Sequence, residues 1–130
     1  MSKAWKRLES EVARVLRGVR NIRVSYSEKT CDVIHPTLAI ECKYGKQVPG
    51  YLAVDKPVCY EIEGAYFVVG PTSQLNREGL DELEIKRRAE AKFLINGLEQ
   101  AANYKENEGK FPVLCLKTPR MRGFNVGFRI

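Results

Sequence analysis

The side chains best placed to do chemistry in this sequence are Asp32, Glu41 and Lys43, all within the stretch CDVIHPTLAIECKYGK that opens at Cys31. Two short apolar runs, at about 31–34 and 38–44, flank His35-Pro36-Thr37 and read as two strands joined by a tight turn. Paired as a symmetric hairpin centred on Pro36-Thr37, they set Asp32 opposite Glu41 and Cys31 opposite Cys42. Side chains alternate faces along a strand, so Asp32, Glu41 and Lys43 share one face. Cys31, Val33, Leu38, Ile40 and Cys42 share the other, which is apolar enough to be a core face.

Two adjacent carboxylates repel each other unless a cation sits between them, which makes the pair a natural seat for a hard divalent ion such as Mg²⁺. An ion held there polarises a phosphodiester and eases deprotonation of a nearby water. A lysine two residues past the glutamate points into the same space, where it can hold the attacking water or offset charge building on phosphorus. Phosphodiester hydrolysis asks for those parts and for no organic cofactor.

Around this group the pattern is that of a mixed α/β (α+β) chain. Residues 3–18 repeat apolar side chains at three- and four-residue steps (Trp5, Leu8, Val12, Val15, Leu16, Val19), the mark of an amphipathic helix. Ser2 is available to cap its start and Gly18 to end it. Residues 22–26 alternate as a half-buried strand. Two glycines and two prolines in 45–57 read as a loop. Residues 58–62 and 65–69, split by Glu63-Gly64, predict a hairpin, and 71–79 a connector. From about 80 to 106 the pattern predicts one long helix, with Glu82–Lys86 and Glu84–Arg88 as favourable pairs one turn apart. Residues 112–117 and 124–130 read as two final strands. The expected architecture is a central mixed β-sheet flanked by helices.

Composition narrows the class. The chain has 130 residues, 44% hydrophobic and 29% charged, as ordinary globular proteins do. No run approaches the roughly 18 consecutive apolar residues of a membrane span. The charged N-terminal segment has no signal-peptide core, so the protein is expected to stay in the compartment where it is made. Four cysteines without a CxxC pair, and a single histidine, His35, argue against structural zinc. Three of the cysteines lie in apolar runs and read as reduced core residues, with a Cys31–Cys42 disulfide left open by the hairpin pairing. A net charge of +6 suits a polyanionic partner.

Asp32, eight intervening residues and then Glu41-Cys42-Lys43 resemble the PD-(D/E)xK nuclease superfamily, with Cys31 where proline is usual. The likeness sharpens to the archaeal-type Holliday junction resolvases. Their first helix carries an A-E-x-E-L-like segment, here Leu8-Glu9-Ser10-Glu11-Val12. A serine-bearing strand or loop follows, then the aspartate and an IE-x-K strand, here AIECK at 39–43. An apolar strand and a short terminal strand resemble 112–117 and 125–130. The likeness covers residues 1–48 and about 90–130, while 50–80 has no counterpart.

That resemblance implies a restriction-endonuclease-like core in one domain over 1–130, with an inserted hairpin at about 50–80. It implies a Mg²⁺- or Mn²⁺-dependent endonuclease that cuts four-way DNA junctions as a homodimer, in the cytoplasm of a prokaryote or phage-infected cell. Glu9, Asp32, Glu41 and the Cys42 backbone carbonyl would hold the metal, and Lys43 would assist the water. Glu9 is preferred to Glu11 as the helix carboxylate. Ser25 or Ser27 would be the serine, and Lys29, Lys3, Lys6, Arg7, Lys46, Arg120 and Arg122 are candidate DNA contacts. Gln100 and Tyr104 match a Q-x-x-x-Y spacing carried by RecB-type exonucleases of the same superfamily. Another superfamily nuclease (nicking, repair or RecB-like) is therefore the alternative, with a non-catalytic basic DNA-binding protein beyond it. His35 reads as a turn residue, and Lys86-Arg87-Arg88-Lys92 as a solvated face with acidic neighbours.

Overall fold

The N-terminal apolar stripe needs a surface to cover it, and the sheet built by the rest of the chain supplies one. A computed structural model of the chain describes residues 3–21 and 31–130. Helix α1 (Lys3–Leu16) leads into β1 (Val19–Arg20); then come β2 (Val33–Ile34) and β3 (Leu38–Tyr44). After a 3₁₀ turn at Gly50–Leu52 follow β4 (Val58–Ile62), β5 (Ala65–Pro71), α2 (Arg77–Asp81), β6 (Glu84–Arg87), α3 (Lys92–Asn103), β7 (Phe111–Lys117) and β8 (Asn125–Arg129). The strands form one eight-stranded sheet in the order β1-β2-β3-β7-β8-β5-β4-β6. β3 runs parallel to β7 and β4 to β6, and the other pairs are antiparallel. The expected central mixed sheet flanked by helices is the observed architecture.

Both faces of the middle strands are covered, which is why β3 and β7 are nearly continuous apolar runs. Leu8, Val12 and Ala13 of α1 pack with Val33, Ile40, Cys42, Val113 and Cys115 on one face. Leu94 and Leu98 of α3 pack with Val69, Leu114 and Leu116 on the other. Val15, counted in the helical stripe by spacing, is exposed because the sheet is met by a narrower band of α1, and Val19 falls in β1, where it is exposed.

Two expectations need correction. The predicted helix over 80–106 is instead a short helix, a strand and a second helix. The open edge of β4 pairs with Glu84–Arg87, and Arg88 lies over the Tyr51 ring at 3.8 Å. Tertiary pairing outweighs helix propensity there, so Arg87 meets Glu61 across the strands at 3.4 Å instead of the expected one-turn pairs. The 71–79 connector is likewise structured: it holds a 3₁₀ turn and the start of α2, which the Asn76 side chain caps by accepting the Gly79 N–H at 2.9 Å. The predicted hairpin forms as β4 and β5 and is an integral part of the sheet, with β5 pairing β8. Its Glu63-Gly64 turn has positive φ at both residues, the twist a two-residue hairpin favours. No disulfide joins Cys31 and Cys42: all four cysteines are free, and the Cys42 thiol lies against that of Cys115, directly opposite on β7. The strand expected over 22–26 and the Ser2 cap lie outside the described residues.

α1 ends one residue earlier than glycine placement suggests. Arg17 takes the left-handed conformation (φ 60), and the Gly18 N–H reaches back to the Ala13 carbonyl at 2.8 Å. Gly18 serves a different need: a Cβ there would sit 2.7 Å from the Ile34 carbonyl oxygen and 2.8 Å from a Val33 methyl. Gly18→Ala should therefore cost ~1–3 kcal/mol by overpacking against β2. Arg17→Gly should be neutral or stabilising by up to ~1 kcal/mol, because the left-handed strain is relieved. Chemical denaturation midpoints at unchanged slope measure both.

Candidate active site

The β2–β3 register, with Val33 opposite Ile40, sets Asp32 beside Glu41, as the hairpin pairing requires. Asp32 stands just before β2, where the ladder stops, and its Oδ2 accepts the Cys42 N–H at 2.9 Å. Backbone N–H and C=O groups of one residue leave a strand on the same side, so the Cys42 carbonyl also turns toward the Asp32 side and away from β7. Asp32 and Glu41 are 2% and 3% exposed.

Glu41 and Lys43 look toward α3, the layer that Leu114 and Leu116 also face. The Lys43 Nζ lies 3.5 Å from the Glu41 Oε1 and donates to the Gln100 Oε1 at 2.7 Å. The Gln100 Nε2 donates to the Tyr104 hydroxyl at 3.2 Å, and Tyr104 in turn hydrogen-bonds Glu41. Burial, and next the neighbouring Asp32, push the Glu41 carboxyl up to about 8 against an ordinary 4.5. Burial, with Glu41 and Asp32 close by, holds the Tyr104 phenol up at about 12, so it stays a proton donor at neutral pH. Among the described residues the buried Glu41 Oε2 has no hydrogen-bond partner.

These features suit a divalent cation. An orphaned buried carboxylate oxygen, a second carboxylate beside it and a backbone carbonyl turned to the same side make an all-oxygen donor set of the kind Mg²⁺ or Mn²⁺ takes. Among the described residues no three His, Cys, Asp or Glu side chains form a metal-holding group. Glu9 is buried in the α1 layer, with Arg20 Nε 3.0 Å from its Oε1. Glu11 is the surface member of the pair, 3.6 Å from Lys117 Nζ, so burial singles out Glu9 as the helix carboxylate of interest.

The remaining candidates scatter. Lys46, Arg120 and Arg122 are exposed in the turns beyond the Lys43 end of β3 and β7, and Lys6 and Arg7 are exposed on α1. Ser25, Ser27, Lys29 and the Lys3 side chain lie outside the described residues. The His35 Nδ1 accepts the Thr37 and Leu38 N–H groups at 3.1 Å each, which makes it a turn-capping side chain, as its position predicts. Three contributors were faint in the sequence. Gln100 and Tyr104 carry only an i,i+4 spacing as signal, yet both join the carboxylates. Glu106, which no motif marks, accepts the Cys31 N–H at 2.8 Å and so anchors the chain just ahead of Asp32.

No family model, curated protein or solved structure matches the chain. Among the described residues no helix is long and apolar enough to cross a membrane.

A carboxyl whose value is raised on folding favours the native state at low pH. That contribution fades as pH climbs from about 4.5 toward about 8, because the native protein then holds a proton the unfolded chain has released. In metal-free buffer, wild-type stability should fall over this window, and Glu41→Gln should flatten the fall. Denaturation midpoints in the presence of a chelator, taken at intervals across the window, check this; parallel curves would acquit the pair.

Proposed function

We propose that this protein is a Mg²⁺- or Mn²⁺-dependent DNA nuclease with Asp32, Glu41 and Lys43 at its centre. The observation that carries the reading is the pair of buried carboxylates, one with an orphaned oxygen, next to a lysine held in place by α3. Among substrates the four-way DNA junction comes first. That choice rests on the resemblance of the Leu8–Val12 segment, the AIECK strand and the two last strands to archaeal-type junction resolvases. It brings with it branched double-stranded DNA as partner and a homodimer, since a two-fold junction needs two opposed strands cut.

Asp32, Glu41 and the Cys42 carbonyl would hold the divalent ion, which would supply electrophilic pull on the scissile phosphate and acidify water. The chain's own residues do the rest. Asp32 is oriented by the Cys42 N–H and Glu41 by the protonated Tyr104. Gln100 restrains the Lys43 Nζ, leaving its remaining protons free to steady an attacking water or the charge growing on phosphorus. The side chain of Lys43 is 30% exposed, so a phosphate can reach it. The net charge of +6 favours approach of the polyanion.

One observation favours a second reading within the same superfamily. Gln100 and Tyr104, the Q-x-x-x-Y pair, are hydrogen-bonded to Lys43 and Glu41 themselves. Such a pair belongs to RecB-type enzymes, so a nuclease acting on DNA ends is the alternative substrate class.

The test is cleavage of a synthetic four-way junction, nicked duplex, single strand and blunt duplex in Mg²⁺ or Mn²⁺. Asp32→Asn should abolish cutting, and Lys43→Ala should lower kcat by about 10²–10³-fold, on the scale of losing one preorganised charge-stabilising donor. Preferred cutting of the junction supports the first reading, and stepwise products from ends support the second. Equal activity in Asp32→Asn and wild type, or no metal-dependent cleavage of any of these DNAs, rejects both.

A further inference from the structure

β6 is the outermost strand of the sheet, and it lies bare. Glu84, Ile85, Lys86 and Arg87 are all exposed, with 61% of the Ile85 surface open. The strand pairs only with β4, and the Arg88 N–H donates to the Glu61 carbonyl at 3.0 Å. Because backbone groups alternate sides along a strand, Glu84, Lys86 and Arg88 direct their N–H and C=O toward β4. Ile85 and Arg87 direct theirs outward, to an edge with no partner among the described strands.

Charge normally protects such an edge, lysine above all. Here Lys86 is accompanied by Glu84 on the same face of the strand, which turns repulsion into self-complementarity. In an antiparallel pair only residues of like backbone orientation can oppose each other, so a second copy has three registers to choose from. Ile85 opposite Arg87 forces Lys86 against Lys86, and Arg87 opposite Arg87 brings two guanidinium groups together. Ile85 opposite Ile85 sets Glu84 against Lys86 of the second copy and, by symmetry, Lys86 against its Glu84. Those two contacts fall at the closely spaced positions of the ladder, where side chains meet best.

We propose that β6 is a self-pairing edge, through which two copies of this chain join antiparallel with Ile85 on the two-fold axis and Glu84 and Lys86 forming reciprocal ion pairs. The two sheets then become one. β3 lies five strands in from β6, so at ~4.8 Å per strand the two candidate active sites stand about 50 Å apart. This contact is therefore separate from any pairing that would bring two sites to one crossover, and it stands or falls independently of the nuclease reading.

Sedimentation equilibrium of the full chain, from about 1 μM to 1 mM, tests it. Wild type should show a reversible two-fold association, monomer to dimer, or dimer to tetramer where a site-pairing dimer also forms. Lys86→Glu and Glu84→Lys should each raise the dissociation constant by about ten-fold or more, since each converts both ion pairs into like-charge contacts. The double reversal Glu84→Lys/Lys86→Glu should restore it to within a few-fold, which also shows that the single variants fail by charge and not by misfolding. Ile85→Pro removes an outward N–H that β4 does not use, and should abolish pairing with an unchanged far-ultraviolet spectrum. A wild type with no such concentration-dependent step overturns the proposal, as does a step unaffected by either charge reversal and by Ile85→Pro.

Discussion

Two carboxylates held side by side out of water are the constraint around which the rest of this structure is arranged. Burial and the repulsion of Asp32 hold a proton on Glu41 at neutral pH, and the protonated Glu41 hydrogen-bonds Asp32. The fold tolerates that cost because the surrounding contacts over-determine the geometry. The Cys42 N–H grips one carboxylate, the Tyr104 hydroxyl the other, and Glu106 fixes the backbone just ahead of Asp32. Ionisable groups perturbed in this way concentrate at functional sites.

The arrangement depends on a sheet clasped between two helices. α3 reaches the candidate site only because it lies close over β7. At Gly97 an added Cβ would fall 2.8 Å from both terminal methyls of Leu114, and at Gly127 a Cβ would meet a Leu94 methyl at 2.9 Å. Close packing there lets one helix carry both its apolar stripe and the Gln100–Tyr104 pair that faces Lys43. α1 does parallel work on the opposite face, where Glu9 is held by Arg20 within the layer that packs behind β3.

The segment between β3 and α3 widens the sheet without intruding on the site. β5 and β4 continue the sheet beyond β8, and β6 closes the series. The preceding loop is tied down by Asn125, whose side-chain amide donates to the Leu52 and Val54 carbonyls at 2.8 and 2.9 Å. The polypeptide thus has a chemical end, at β2–β3, and an open end, at β6.

Local sequence determined the elements and faces that rest on short-range periodicity. Alternation in 31–44 was enough to put Asp32, Glu41 and Lys43 on one side of a hairpin, because register and pleat follow from a tight turn between two short strands. The α1 stripe, the Glu63-Gly64 turn and the last two strands were legible for the same reason. Tertiary structure alone decided the rest. Residues 84–87 have helix-compatible composition and became a strand because β4 offered backbone partners from far along the chain. Gln100 and Tyr104 entered the site because α3 crosses β3 and β7, a long-range contact that an i,i+4 spacing cannot announce. Glu9 came to be buried beside Arg20 because α1 covers the face of the sheet opposite α3, and nothing in the order of residues encodes which face each helix will cover.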